Sequence, residues 1–508
     1  MTTPIFAFDN TYVRELPGFY SEWQPEPARA PRLLFFNQSL AETLLANFSS
    51  EDEQSLADLF AGNRLPAGAM PIAQAYAGHQ FGHFSPQLGD GRALLLGEVI
   101  DRQGIRRDIT FKGSGRTPFS RGGDGKAAVG PMLREVLMGE GMHALGIPTS
   151  RALAVVATGE PVYRDEVLPG AVLTRVATSH IRVGTFEYFA ARGEHGKVKQ
   201  LADYTIARHD SNLLLQYDEN DKERYVDFLR SVMKRQAALL AQWMNIGFIH
   251  GVMNTDNMAL SGESIDFGPC AFMEAYHPAT VFSSIDQQGR YAYGNQPGIA
   301  QWNLARLAES LLPLLGVQQQ AAVERATELL NEFPAMYQLE WLAGVRKKMG
   351  LLQRVDEGDN RDMTLADEWL SLLENNKADF TLAWRRLADA AEGQDAALHD
   401  LIGDRHALSA WLDKWRARCA EENTVNSNHI DQSHERADFM RRVNPWIIPR
   451  NHRVEETLAA ASDEGDLQPF QRLLDALQQP YDENPALAYY AEPAPEAVAA
   501  AYRTFCGT

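Results

Sequence analysis

The segment "IHGVMNTDNMALSGESIDFGPC", Ile249 to Cys270, restricts what this chain can fold into more than any other. A protein-kinase catalytic loop has the form H-R-D-L-x-x-x-N and is followed by D-F-G on the next strand. With His250 on that His, Asn257 falls on the Asn and Asp266-Phe267-Gly268 supplies the D-F-G. Val252 stands where the catalytic Asp belongs. D-F-G alone is a common tripeptide, and an Asn in a loop is ordinary. Joined by "MALSGESI", a hairpin that can return Asp266 beside Asn257, the two become a metal-site pattern. Mg²⁺ takes a few protein oxygens and completes its shell with phosphate oxygens and water. Asn257 and Asp266 are therefore the expected metal ligands.

The order of elements upstream agrees with that loop. "RALLLGEVI", a turn at Arg102–Gly104 and "RRDITFKG" read as two strands, the second ending on Lys112. Gly130 to Leu145 reads as a helix stopped by "GIP". It carries Glu135 among apolar neighbours, and Glu140 further along; Glu135 is the better partner for Lys112. "RALAVVATG" and "GAVLTRVAT" are further strands. Asp221 to Asn245 is a long helix with apolar residues near i, i+3, i+4, i+7, closed by Gly247. This order predicts an α+β chain with a protein-kinase-like bilobal fold and a large helical C-terminal extension. Residues 1–85 read as an irregular N-terminal extension packed on the core, with short helices at Ser39–Ala46 and Glu51–Ala61. Residues 86–300 form the nucleotide-binding core, with the N-lobe at about 86–185 and the C-lobe from about 186. Residues 301–508 form a helical region completing the C-lobe, where "DEGDNRD" and "ASDEGD" look like solvated loops.

Lys plus Arg total 48 against 67 Asp plus Glu, a net charge of −19. That balance argues against nucleic acid or an anionic membrane as the main partner, so a phosphate ligand needs a local group of cations. "QLGDGRA" places Gly89 and Gly91 before a strand, where bare backbone can approach a phosphate. "GSGRTPFSRGGDGKAAVG" adds Arg116, Arg121 and Lys126, but it is not a P-loop: position 120 is Ser and Ala127 follows Lys126. Arg175 in "LTRVA" and Arg182 in "HIRVG" are cations an ordinary kinase does not need there, and a surface or ion-pair role remains open for them. His79 and His83 in "AGHQFGH" are i, i+4, but flanking glycines and the missing Glu argue against zinc. "RVNPWIIPRNHRVE" reads as a packed structural loop. Three cysteines fit a reducing, cytoplasmic setting, the first twenty residues lack a signal-like apolar run, and no apolar run is long enough to span a membrane.

"AYAGHQFG", "QLGDGRA", "FKGSGRTPFSRGGDGKAA", "LREVLM", "HGVMNTDNM", "IDFGP", "NQPGIAQWNLARLAE" and "RVNPWIIPRNH" together resemble the selenoprotein O pseudokinases, described as protein adenylyltransferases, over nearly the whole chain. Cys506, third from the end, stands where some members carry selenocysteine and many bacterial ones cysteine. The resemblance implies ATP bound flipped relative to ordinary kinases, with AMP passed to a Ser, Thr or Tyr hydroxyl of a protein substrate, and UTP with Mn²⁺ as an alternative. It implies that Lys112 contacts phosphate and pairs with Glu135. Gly89, Gly91, Arg92, Asp124, Gly125, Arg175 and Arg182 would line the nucleotide site. Asn257 and Asp266 would hold Mg²⁺ or Mn²⁺, and Asp256 would accept the proton. A redox disulfide between Cys270 and Cys506 is a further expectation, with Cys419 as the competing partner. The protein is expected to act as a monomer without nucleic-acid or membrane partners. An ordinary kinase with a displaced base and a non-catalytic nucleotide-binding scaffold remain as rival readings.

Overall fold

In the strand Arg106–Lys112, Ile109 and Phe111 alternate with Asp108, Thr110 and Lys112, so one face is apolar and the other carries polar groups into the interior. The computed structural model, which describes residues 4–219, 221–352, 360–425 and 433–505, places this strand in the middle of an antiparallel sheet. The order across the sheet is Tyr20–Glu22, Ile72–Gln74, Ala93–Ile100, Arg106–Lys112, Val167–Ala177, Arg151–Tyr163, Arg32–Phe36, and the short strand Ala127–Ala128 pairs with Val167–Ala177. Opposite residues of an antiparallel pair share a face. Leu173 opposes Lys112 and Arg175 opposes Thr110, so Lys112 and Arg175 point to the same side.

That inner side packs on the helix Val129–Ala144 through Met132, Leu133, Val136 and Leu137. The outer side, with Ile109, Phe111, Val156 and Val172, is covered by the helix Glu53–Ala61 and the segment around Leu40 and Leu44. The segment 1–85 is thus not irregular as its composition suggests. Three of its strands form or extend both edges of the sheet, each only three to five residues long, too short for a period-two pattern to stand out.

The other half is helical. Asp221 caps the helix Lys222–Ile246 by accepting from the Glu223 N–H at 2.9 Å, and Gly247 ends it in the left-handed region at φ +73°. A side chain at Gly247 would also meet the Phe380 ring at 2.9 Å. A second apolar core gathers Trp369, Trp384, Trp411 and Trp415 among the later helices. The α+β class is as the sequence indicates. Two loop readings change. "ASDEGD" is mostly a π-helical turn, Ala460–Glu464, continuing the helix Asn451–Ala459. Of "DEGDNRD", residues 356–359 lie outside the described residues, while Asp362 is buried in the helix Arg361–Asn376 and ion-paired to Arg346 and Arg418. No helix among the described residues is long and apolar enough to cross a membrane.

Candidate functional site

Between the two halves lies a cleft of about 1780 Å³, above the usual ~300–1,000 Å³ of a small-molecule pocket. Gly89, Gly91, Arg92, Lys112, Asp124, Gly125, Glu135, Arg175, Arg182, Asp256, Asn257 and Asp266 all line it, so residues spread over 178 positions of sequence meet at one surface.

At its inner end, Lys112 Nζ donates to Glu135 Oε1 and, at 2.8 Å, to Asp266 Oδ1. Arg175 Nη1 donates to the same Asp266 oxygen at 2.7 Å, and Arg182 Nη1 lies 3.6 Å from Asp266 Oδ2. Burial pushes the Asp266 carboxyl up, but Lys112, Arg175 and Arg182 outweigh it and hold it well below the ordinary carboxylate range. Asp266 sits at φ +61°, a left-handed conformation that Asp tolerates better than most residues. Arg182 is fixed twice more, donating to the Asp256 carbonyl at 2.9 Å and to the His180 carbonyl at 3.2 Å, with its guanidinium 4.4 Å from the centre of the Tyr76 ring. Arg175 Nε is buried and makes no hydrogen bond with any described residue. Of the surface or ion-pair role left open for Arg175 and Arg182, the surface half does not hold, since each is 3% exposed, while both do pair with Asp266 at the cleft.

The catalytic-type loop is held by its histidine. His250 Nε2 donates to the Ile265 carbonyl at 2.9 Å, which leaves Nδ1 to accept from the Val252 N–H at 3.4 Å. Val252 is buried against the cleft and presents no polar group. Asn257 donates its amide to the Val252 carbonyl at 2.9 Å, which leaves its amide oxygen for another partner. Asp256 is 8% exposed; burial, opposed chiefly by Arg182, raises its carboxyl to about 6.

The glycine-rich segment closes the outer wall. Gly115 N–H donates to the Gly125 carbonyl at 3.1 Å, and a Cβ at Gly125, whose φ is +67°, would lie 2.0 Å from the Gly115 oxygen. Only glycine fits there. The Asp124 carboxylate accepts from Arg164 at 2.8 and 3.0 Å and from the Lys126 N–H at 3.0 Å, so it braces this loop. Lys126 pairs with Glu160, whereas Arg92, Arg116 and Arg121 also line the cleft and form no ion pair with any described residue.

Some contributors are illegible in the sequence. Arg134, beside Glu135, donates to the carbonyls of Gly268 at 3.1 Å and Cys270 at 2.6 Å, holding the turn after Asp266. Asp90, between Gly89 and Gly91, is raised by burial to about 6. "RVNPWIIPRNHRVE" is packed structure only in part: Arg450 is fully buried between Glu274 and Asp379, but the helix starting at Asn451 brings His452 and Glu455 to the cleft. His79 binds Glu187 rather than joining His83 at a metal. Cys270 is buried away from the cleft wall with its thiol on the Phe267 carbonyl, and burial pushes that thiol up to about 12. Cys506 lies outside the described residues; Thr504, two residues before it, donates to the Pro269 carbonyl at 2.7 Å.

Among the described residues no three His, Cys, Asp or Glu side chains cluster as a self-sufficient metal site. Two oxygens from Asn257 and Asp266 fit a cation that takes its remaining ligands from phosphate and water.

A family model described as "Protein adenylyltransferase SelO" matches residues 5–478. The protein nucleotidyltransferase YdiU of Chromobacterium violaceum is 57% identical over 497 residues, covering 97% of this chain and 100% of that protein. The protein of the same name from Cereibacter sphaeroides strain KD131 is 56% identical over 504 residues, 99% of this chain and 100% of its own length. The one from Rhizobium meliloti strain 1021 is 53% identical over 505 residues, covering 99% of each.

Proposed function

The chain belongs to the SelO family of protein adenylyltransferases, and from that premise we propose that its cleft transfers AMP from ATP, bound in a flipped orientation, to a Ser, Thr or Tyr hydroxyl of a protein substrate. The observation that carries this reading is the convergence of Lys112, Arg175 and Arg182 on one carboxylate, Asp266, with Glu135 beside them. Three buried cations are costly without anions, and guanidinium forks match phosphate oxygens. A flipped nucleotide sends its β- and γ-phosphates to this inner end and leaves the α-phosphate toward Asp256.

The hydroxyl oxygen then attacks the α-phosphorus. The new O–P bond forms as the bond from that phosphorus to the β-phosphate oxygen breaks, pyrophosphate leaves, and the hydroxyl proton passes to the Asp256 carboxylate. Such transfer depends mainly on positioning and charge, which Lys112, Arg175 and Arg182 supply. Mg²⁺ or Mn²⁺ held by Asn257 and Asp266 would neutralise phosphate charge. Val252 supports α- over γ-transfer, since it puts an apolar side chain where a kinase holds its carboxylate. The cation cluster reads phosphates and not bases, so UTP would pass UMP by the same steps. Intact-mass analysis of an acceptor protein incubated with enzyme, ATP and Mg²⁺ tests the proposal. A nucleoside-monophosphate adduct is expected; a phosphate adduct would make the protein a kinase, and no adduct a scaffold.

A further inference from the structure

Apart from Tyr76 against Arg182, the motif "AYAGHQFG" has no part in the chemistry above, yet it lies directly beside Asp256. Its Gly78–Gln80 pairs with His83–Ser85, just beyond it, to form a hairpin. Three successive residues of the catalytic-type loop are gripped by three successive residues of this hairpin. Asn254 Oδ1 accepts from the Phe81 N–H at 3.0 Å, and Tyr291 OH donates to the same oxygen at 2.6 Å. Thr255 Oγ1 accepts from the His79 N–H at 2.7 Å and donates to Glu187, whose other oxygen binds His79 Nδ1. Asp256 Oδ2 accepts from Gln80 Nε2 at 3.3 Å.

The hairpin also fixes where the second Asp256 oxygen goes. Oδ1 is buried, makes no hydrogen bond with any described residue, and lies 2.5 Å from where a Cβ at Gly78 would stand. No side chain larger than glycine's fits between strand and carboxylate. Behind Asp256, a Cβ at Gly184 would strike the Ala77 oxygen at 2.1 Å and approach Asp256 Cα at 3.4 Å. The carboxylate is thus held between two glycine contacts, with one oxygen closed off and the other next to Gln80, and both Gln80 and Asp256 line the cleft.

We propose that the Gly78–Ser85 hairpin is the acceptor-side clamp of the site, with Gln80 and Gly78 as positioning residues that fix the Asp256 carboxylate so that Oδ2 meets the incoming hydroxyl. This rests on Asp256 being the proton acceptor in the transfer proposed above. An effective near-attack arrangement requires the acceptor oxygen held to within a fraction of an ångström, and among the described residues the amide of Gln80 supplies the one side-chain hydrogen bond on Oδ2. In the proposed pose the β- and γ-phosphates sit on Lys112 and Arg175, whose printed contacts are with Asp266 and Glu135 and not with the hairpin, so loss of the clamp should leave ATP binding nearly intact.

The test uses the full-length protein, α-labelled ATP with Mg²⁺, and casein as a hydroxyl-bearing acceptor. Gln80→Leu is expected to lower kcat about tenfold or more with the KM for ATP within about twofold. Gly78→Ala is expected to act in the same direction, and thermal melting separates its effect from misfolding. In an Asp256→Asn background, Gln80→Leu should add less than a twofold loss, because the two act as one unit. A Gln80→Leu enzyme with unchanged kcat overturns the proposal, as does a full penalty that persists in the Asp256→Asn background. Two other outcomes strike the transfer reading itself: no label incorporated by the wild type, or Asp256→Asn as fast as the wild type.

Discussion

Arg175 donates from Nη1 to Asp266 Oδ1 across 2.7 Å, and that oxygen also takes the Lys112 ammonium at 2.8 Å. Neighbouring strands deliver the two cations: Arg175 opposes Thr110, two residues from Lys112 on the same face. An aspartate so engaged is held as the anion at any physiological pH, ready to share its remaining capacity with a cation. In the flipped pose proposed here, the surplus positive charge meets the β- and γ-phosphates.

Arg175→Ala should therefore weaken ATP binding about tenfold or more while leaving AMP binding nearly unchanged, since AMP lacks the β- and γ-phosphates. Arg175→Lys should recover only part of the loss, because an ammonium cannot make the forked contact. Titration calorimetry with both nucleotides reads the difference. Equal loss for ATP and AMP would place Arg175 on the α-phosphate or the nucleoside.

Asp266→Asn should cut transfer by a factor on the order of 10²–10³, the scale for loss of one preorganised electrostatic group. The Mg²⁺-dependent part of nucleotide affinity should vanish with it, while the protein still melts cooperatively. Calorimetry with and without Mg²⁺ on the same sample provides the check, and an undiminished rate would remove Asp266 from the metal site.

How legible these groups were depends on how they act. Lys112, Glu135 and Asp266 meet through opposite charge, and with Asn257 they stand at spacings a kinase-like loop imposes, so the sequence exposes them. Arg134 works on two backbone carbonyls, Gly268 and Cys270, which leave no mark in a sequence. Gln80 reaches Asp256 across 176 positions, and its partner is evident only once the hairpin is placed. Edge strands such as Tyr20–Glu22 are too short to show alternation, so the N-terminal segment looked irregular. The apolar period of Lys222–Ile246, with Asp221 and Gly247 at its ends, had length enough to be read almost to the residue.

Arg450 carries a structural prediction. It is fully buried, with Nη1 2.7 Å from Asp379 and a second bond to Glu274, and it ties the C-terminal region to the segment after the D-F-G turn. Arg450→Met leaves both carboxylates buried without their cation, and breaking such a pair costs about 3–5 kcal/mol. Urea unfolding at neutral pH should show a lowered midpoint and an unfolding free energy reduced by about that amount. A change under 1 kcal/mol would mean that the two acids become protonated or hydrated at little cost.

His180 sets part of the acid stability. Its ring is buried, with Nδ1 3.0 Å from Asp108 Oδ2, and burial lowers it from 6.5 to about 4. As pH falls below 6.5 the unfolded chain takes the proton before the folded one does. The contribution is therefore complete above pH 6.5 and is lost as pH falls through about 4, on the order of 3 kcal/mol in all. Burial pushes the Asp108 carboxyl up, but Arg208 and His180 outweigh it, so Asp108 titrates below this window. His180→Asn should flatten the stability curve between pH 6.5 and 4 relative to the wild type. Parallel curves for the two proteins would show that His180 does not titrate on unfolding.

The most direct test of the central claim is to offer the full-length enzyme an acceptor protein with Mg²⁺ and either α-labelled or γ-labelled ATP, in parallel, and to count label on the protein. Attack at the α-phosphorus predicts retained label from the α position alone, with the γ label released in pyrophosphate. Label retained from the γ position alone would contradict that account and make this cleft the site of an ordinary kinase.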